Sequence, residues 1–259
     1  MKYLAAILLF VVTVAQARDP SVYVYNITQD KVIYQSNSTE FRPIASVTKL
    51  MTAMVALDYS KDLFRQLPLN TTVKSNLPRG NYTRQELFNA MLVRSDNAAA
   101  ETLAADYPGG RKEFIWRMNQ QARAWGINAV FRDPTGLDAR NIATAGDIGT
   151  MVSYAAGYWV IRQTSVQKQV AFERRFKKRL RTIELRNTNR PLLMEFDEIV
   201  VSKTGFTNPA RYCVALVVEK DHQQHAIVVL GAPNRSRRID TVQDAIYNHV
   251  LDENLQNSN

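Results

Sequence analysis

Short β-rich runs from Val22 to Asn26 and from Lys31 to Gln35, separated by Thr28-Gln29-Asp30, predict an opening hairpin. Pro43 bars a helix from running through Phe41–Ile44, so the next helix is predicted to begin near Ser46. Met51, Met54, Val55 and Leu57 give that helix an apolar face and call for its burial. A turn-rich stretch over 70–80 reads as surface, after which Thr83-Arg84-Gln85-Glu86 has the pattern of a capping box opening a helix through Val93. Ala98 to Ala105 reads as the next helix. Ser95-Asp96-Asn97 therefore falls at a junction between two helices, where side chains can point into a cleft or simply cap the second helix.

Phe114, Met118 and Ala122, flanked by Ile115 and Trp125, recur at helical spacing up to Gly126. Asp133-Pro134-Thr135-Gly136-Leu137 is a turn, and Thr144-Ala145-Gly146-Asp147 opens another helix with Ile148, Met151 and Val152 inward. From Phe196 onward the period becomes that of strands. Ile199-Val200-Val201 leads into Lys203-Thr204-Gly205, Tyr212 to Val218 is a second strand, Ala226 to Leu230 a third, and Ile239 to Leu251 a closing amphipathic helix. Strands at both ends with helices between predict an α+β fold, an antiparallel sheet flanked by helices plus a mostly helical lobe.

The N-terminus departs from this pattern. Lys2, an apolar run from Tyr3 to Val14 and Ala15-Gln16-Ala17 have the layout of a secretory signal peptide over residues 1–17, cleaved after Ala17. The run is too short for a comfortable transmembrane helix. Residues 18–259 are then expected to be a single exported domain, periplasmic in location. With 46% hydrophobic and 22% charged residues in 259, a sizeable core is expected. Cys213 is the only cysteine, so no internal disulfide forms, and its apolar surroundings make it a small core residue.

Net charge is +9, concentrated in Arg174, Arg175, Lys177, Lys178, Arg179 and Arg181. That segment reads as a solvated strand or hairpin face, with an anionic envelope surface bound through Arg174–Arg181 as the alternative. No nucleic acid partner is expected of an exported chain.

The candidate chemistry lies in Ser46-Val47-Thr48-Lys49. Three residues apart at a helix start, the hydroxyl and the amine share one face. A serine attacks a carbonyl well only if a neighbouring base takes its proton, and a lysine kept neutral by burial can be that base. Spacing alone does not identify a site, because Ser165-Val166-Gln167-Lys168 repeats it. Ser95-Asp96-Asn97 and Lys203-Thr204-Gly205 follow the first copy in the order S-x-x-K, S-D-N, K-T-G that marks penicillin-recognising serine enzymes. The chain has 3 histidines, all late, and no G-x-S-x-G or P-loop, which leaves little for a histidine-based triad. His222 and His225 lack a companion carboxylate or cysteine set, so no metal and no cofactor is expected.

On these motifs the chain resembles the low-molecular-mass penicillin-binding proteins, the D-alanyl-D-alanine carboxypeptidase family, over essentially all of the predicted mature region. Arg42-Pro43-Ile44-Ala45-Ser46, Tyr107-Pro108-Gly109-Gly110 and Asp133-Pro134-Thr135-Gly136-Leu137 are similar stretches. Arg186-Asn187-Thr188-Asn189 and Lys203-Thr204-Gly205-Phe206-Thr207-Asn208 resemble the endopeptidase branch, which also lacks an added C-terminal β domain. The resemblance implies a transpeptidase/β-lactamase-like fold, peptidoglycan peptides as substrates and β-lactam antibiotics as covalent inhibitors. Ser46 would be acylated, with Lys49 accepting its proton. Ser95 would relay a proton to the leaving amine, and Asn97 would hold the substrate amide and the Lys49 amine. Lys203 would lower the Lys49 pKa and attract the substrate carboxylate, which Thr204 and Arg238 would bind. The N–H groups of Ser46 and Phe206, the latter reached through Gly205, would form the oxyanion hole.

One departure is Ala210-Arg211, where the family usually has alanine-glycine. A D,D-endopeptidase is the preferred activity, with a D-alanyl-D-alanine carboxypeptidase as the alternative. A class A-like β-lactamase is disfavoured because the turn at 133–139 offers no glutamate to activate deacylating water, and an inactive envelope-binding protein because every catalytic residue type is present.

Overall fold

The computed structural model describes residues 19–70, 72–176 and 179–251; the predicted signal peptide lies outside them. The opening hairpin is present as β1 (Ser21–Asn26) and β2 (Lys31–Ser36). A two-residue strand β3 (Arg42–Pro43) and a 3₁₀ turn (Ala45–Thr48) lead into α1 (Lys49–Tyr59), and β4 (Gln66–Pro68) pairs with β5 (Asn81–Thr83). Helices α2 (Arg84–Val93), α3 (Asn97–Ala105) and α4 (Gly110–Ala124) build the helical lobe. The short strand β6 (Ile142–Ala143), paired with β3, precedes α5 (Ala145–Ala156) and α6 (Trp159–Ser165). A separate hairpin of β7 (Gln169–Phe176) and β8 (Arg179–Arg186) is followed by α7 (Arg190–Glu195). Strands β9 (Ile199–Thr207), β10 (Arg211–Lys220) and β11 (Gln223–Ala232) and helix α8 (Arg235–Ile246) follow.

The main sheet is antiparallel throughout in the order β2-β1-β11-β10-β9, so the N-terminal hairpin joins a sheet built from the C-terminal third. Its central strands are buried on both faces. Cys213, Ala215 and Val217 of β10, with Ala226, Val228 and Leu230 of β11, face the helical lobe. Val214, Leu216, Val218, Ile227 and Val229 point the other way, onto Leu192 and Leu193 of α7 and Val242, Ala245 and Ile246 of α8. Two covered faces remove the polar alternation of a half-exposed strand, which is why these stretches read as unbroken apolar runs. Helix α1 is buried along its length from Lys49 to Leu57 and forms the axis around which the helical lobe packs.

Local chemistry sets the element ends. The Thr83 capping box forms as predicted, Thr83 accepting from the Glu86 N–H and Glu86 from the Thr83 N–H. Thr144 caps α5 through the Asp147 N–H, and Asn234 caps α8 through the Arg237 N–H.

Three expectations are corrected. Ser46 lies in a 3₁₀ turn rather than an α-helix, because Ala45 has φ +45° and Val47 N–H bonds to the Ile44 carbonyl three residues back. The closing helix starts at Arg235, where Asn234 supplies the cap, and gives way to a π-helical turn at Tyr247–Leu251. The basic segment is a hairpin, β7–β8, as expected, but Arg174 departs from a solvated face: it turns inward, pairing with Glu86 and lying over the Tyr82 ring at 4.4 Å. Residues 177 and 178 of that segment lie outside the described residues.

Candidate active site

The three motifs meet in one cleft. The 3₁₀ turn supplies Ser46, the α2–α3 junction supplies Ser95 and Asn97, and β9, on the sheet's edge, supplies Lys203 and Thr204. Lys49, fully buried at the start of α1, donates to Ser46 Oγ at 2.8 Å, to Asn97 Oδ1 at 2.8 Å and to the Thr135 carbonyl at 2.6 Å. Its pKa is lowered to about 7. Burial does this, against Asp133, Asp96 and Glu101, which all favour the charged form. The Lys49 and Lys203 charges oppose one another, which disfavours both ammonium forms. Lys203 is itself buried and held well below its ordinary value, by desolvation first and then by the charges of Lys49 and Arg238. Its amine donates to Ser95 Oγ at 2.9 Å and to the Thr204 carbonyl at 2.8 Å.

Both candidate hydroxyls sit beside strained backbone. Ser95 has φ +63°, and Ala45, just before Ser46, has φ +45°. Such conformations cost about 1–3 kcal/mol each and persist only where surrounding contacts hold them. At Ser95 the holding residue is Asp96. One carboxylate oxygen caps α3 through the Ala99 N–H at 2.9 Å, and the other accepts from Ser75 Oγ at 2.9 Å and the Asn76 N–H at 2.5 Å. Asp96 is thus the cap of α3, while Ser95 and Asn97 on either side of it line the cleft.

Gly205 is explained by close approach. A Cβ there would lie 2.9 Å from the Ser46 nitrogen and 3.0 Å from the Ile44 carbonyl oxygen, so only glycine lets β9 run against the turn that carries Ser46. Thr204 Oγ1 bonds Thr188 Oγ1 at 2.7 Å, and the exposed Phe206 packs on Tyr212 with ring centres 4.4 Å apart. Arg238 is buried. Its Nη2 reaches Asn189 Oδ1 at 3.4 Å, its Nε has no partner, and burial followed by Arg235 lowers its pKa to about 10. A buried guanidinium with unspent donors at a cleft wall is suited to a carboxylate ligand. The whole cleft measures about 430 Å³ and includes Ser46, Ser95, Asn97, Thr204, Gly205, Phe206 and Arg238.

Sequence reasoning read 133–137 as a turn and as a family-like stretch but gave it no place in the site. Asp133 is buried, and one of its oxygens accepts from the Thr135 N–H, Thr135 Oγ1 and the Gly136 N–H while the other accepts from the Asp138 N–H. This carboxylate-centred turn holds out the Thr135 carbonyl to Lys49. An aspartate followed by Pro-Thr-Gly is a side-chain-driven turn, which is the signal that could have exposed it. Arg211 has φ +55° at the start of β10 and still pairs with Thr207, so the hairpin beside the site forms without the usual glycine. The second Ser-x-x-Lys copy is dismantled: Ser165 Oγ accepts from the buried Ser202 N–H, and exposed Lys168 pairs with Asp197. His222 sits in the β10–β11 turn and His225 is buried within β11.

A serine in contact with a buried, low-pKa lysine, on this sheet-and-helix framework, defines a serine peptidase of the transpeptidase-like class. Residues 11–234 match the model of the D-alanyl-D-alanine carboxypeptidase family, and the chain belongs to that family. It is 34% identical over 222 residues to the D-alanyl-D-alanine endopeptidase of Escherichia coli, covering 82% of this chain and 71% of that protein. With the Pseudomonas aeruginosa D-alanyl-D-alanine endopeptidase the identity is 36% over 214 residues, covering 78% and 67%. The fold is that of a Streptomyces K15 DD-transpeptidase, with TM-score 0.82 at 24% identity over 88% of this chain and 95% of that one. Penicillin-binding protein D2 of Listeria monocytogenes, in its cefotaxime-bound form, superposes with TM-score 0.77 at 26% identity over the same shares.

Proposed function

We propose that this serine D,D-peptidase is an exported endopeptidase that hydrolyses D-alanyl cross-links between peptidoglycan peptides through a Ser46 acyl-enzyme. The observation that carries the reading is the 2.8 Å contact between Ser46 Oγ and the Nζ of a Lys49 whose pKa is about 7. At neutral pH a large fraction of Lys49 is unprotonated and accepts the serine proton as Oγ attacks the carbonyl carbon. The Ser46 and Phe206 N–H groups take up the developing oxyanion, each worth about 2–4 kcal/mol in such a role. Ser95, backed by Lys203, relays the proton held by Lys49 to the departing nitrogen, so the carbon–nitrogen bond breaks and Lys49 is neutral again. Lys203, Thr204 and Arg238 hold the carboxylate beside that nitrogen, and Asn97 holds the Lys49 amine and the substrate amide. Water then attacks the ester, and Lys49 takes its proton and returns it to Ser46 Oγ as the acyl–oxygen bond breaks.

Preference for cross-links over terminal D-alanine rests on the similarity to proteins named endopeptidases. A β-lactamase reading is weaker because the carboxylates of the 133–138 turn are engaged: Asp133 organises the loop, and Arg140 holds Asp138 at a pKa of about 2. Penicillins are therefore expected to remain on Ser46. No anionic-surface role is proposed for the 174–181 hairpin, since Arg174 is spent on Glu86 and Tyr82. An export site after Ala17 would place the enzyme in the periplasm, to be checked by N-terminal sequencing of the mature chain.

The deciding experiment digests purified cross-linked muropeptides. Conversion of dimers to monomers by the wild-type chain, lost in Ser46→Ala, is the expected result. Removal of D-alanine from pentapeptides with dimers left intact would replace this reading by the carboxypeptidase one.

A further inference from the structure

The cleft holds more positive charge than one substrate carboxylate needs. Its lining includes Arg94, Arg235 and Arg238 and no aspartate or glutamate, with Lys203 buried behind Ser95. Arg238 and Lys203 suffice for the carboxylate next to the scissile nitrogen. Arg94 and Arg235 are exposed and make no ion pair or side-chain hydrogen bond among the described residues. Other arginines around the fold pair with acids, Arg84 with Asp106, Arg111 with Glu101 and Arg162 with Glu219, but no acid lines this cleft. Two unpaired guanidiniums on one wall, next to a third that is buried, repel one another unless an anion arrives.

Their placement says which part of the substrate would bring it. Arg94 ends α2 directly before Ser95, and Arg235 opens α8 three residues before Arg238. The backbone beside Arg94 is tied to the same wall, since the Thr188 N–H bonds to the Val93 carbonyl and Thr188 in turn bonds Thr204. Asn189, the next residue, touches Arg238. Both arginines therefore flank the groups assigned to the leaving amine and its carboxylate.

We propose that Arg94 and Arg235 form a second anion subsite, which selects leaving residues that carry a further carboxylate besides the one beside the scissile nitrogen. This deepens the peptidase reading and rests on it. A leaving D-alanine leaves the subsite empty, whereas a leaving residue whose side chain ends in a free carboxylate fills it. Arg94 and Arg235 are positioning and specificity residues here.

The test uses three peptides identical through the acyl D-alanine and differing only in the leaving residue: D-alanine, D-norleucine or D-2-aminoadipate. The wild-type chain is expected to cleave the aminoadipate peptide with kcat/KM about three- to tenfold above the norleucine peptide, the gain lying in KM. Raising salt to about 0.5 M should shrink that ratio, because exposed charges are screened over a few ångströms there. Arg94→Gln with Arg235→Gln should bring the ratio close to one, and Arg235→Glu should shift preference toward a D-lysine leaving residue. A ratio near one in the wild-type chain, or a ratio unmoved by salt, overturns the subsite without recourse to any variant. A preference that survives both glutamine substitutions in a folded chain that still takes up labelled penicillin also overturns it. Failure of the wild-type chain to take up penicillin or cleave any of the peptides overturns the peptidase reading, and the subsite with it.

Discussion

Gly136 lies so close to Ala45 that a Cβ on it would stand 1.8 Å from the Ala45 carbonyl oxygen. Gly136 also has φ +80°, a conformation that favours glycine. The loop carrying Thr135 is thus pressed against the turn carrying Ser46, and the Thr135 carbonyl reaches Lys49 only because nothing protrudes at Gly136. Gly136→Ala should lose at least about 2 kcal/mol of stability, since both the backbone conformation and the clash with fixed backbone oppose the new methyl. It should also slow penicillin acylation of Ser46 far more than a surface Gly→Ala change. Thermal unfolding and labelling kinetics on the same preparation check both.

Lys49 predicts a pH dependence whose sign follows from its lowered pKa. Only the neutral amine accepts the serine proton, so acylation should rise as pH increases through about 7 and level off above it. Lys49→Arg keeps a cation that does not release its proton, and should lower acylation by about two orders of magnitude or more at every pH. Stability moves in the same direction as activity. Between about 7 and 10.5 the unfolded chain binds a proton at Lys49 that the folded chain lacks, so this lysine makes the fold more stable as pH rises through that window. Lys49→Met should remove that slope. An acylation rate that falls as pH is raised from 6 to 8, in the about-neutral range, would rule Lys49 out as the base.

What the sequence disclosed divides along a physical line. That Ser46, Lys49, Ser95, Asn97 and Lys203 meet in one cleft was legible because each is a side chain whose type and spacing are written in the chain. The β10 and β11 strands were legible because burial on both faces makes an apolar run. The Thr135 carbonyl was not, since every residue carries a carbonyl and only the fold aims one at Lys49. Nor was the φ of +45° at Ala45, which local propensity opposes and tertiary contacts impose. Arg84 looks like a surface residue and is fully buried, its charge met by Asp106 and by the Ala56 and Ser60 carbonyls. The short helices α6 and α7 have too few turns to show a period.

Arg211 offers a stabilising substitution. It occupies φ +55° where the backbone rises into β10, a region that costs a residue with a Cβ roughly 1–2 kcal/mol. Glycine removes that cost and gives back part of it through the freer unfolded chain. Arg211→Gly should therefore raise stability by about 0.5–1 kcal/mol, seen as a higher denaturation midpoint with an unchanged slope. A lower midpoint would mean that the Arg211 side chain stabilises the hairpin by more than its backbone costs.

Asp96 and Asn97 adjoin in sequence and should separate in experiment. The Asp96 carboxylate touches neither Lys49 nor Ser95 directly; it caps α3 and fastens Ser75 and Asn76 to the helix junction. Asp96→Ala should then cost about 1–3 kcal/mol, from a lost cap and two unpaired donors, while a folded population still acylates at a rate within about tenfold of wild type. Asn97 accepts from Lys49 and faces the cleft, so Asn97→Ala should leave the melting temperature nearly unchanged and reduce acylation by more than Asp96→Ala does. Removing the Asn97 acceptor also takes away one of three partners that hold the ammonium form, so the pH midpoint of acylation should move downward in that variant. Measuring unfolding and acylation across pH for both variants distinguishes the two roles, and equal losses of stability and rate in both would show that the junction acts as one unit.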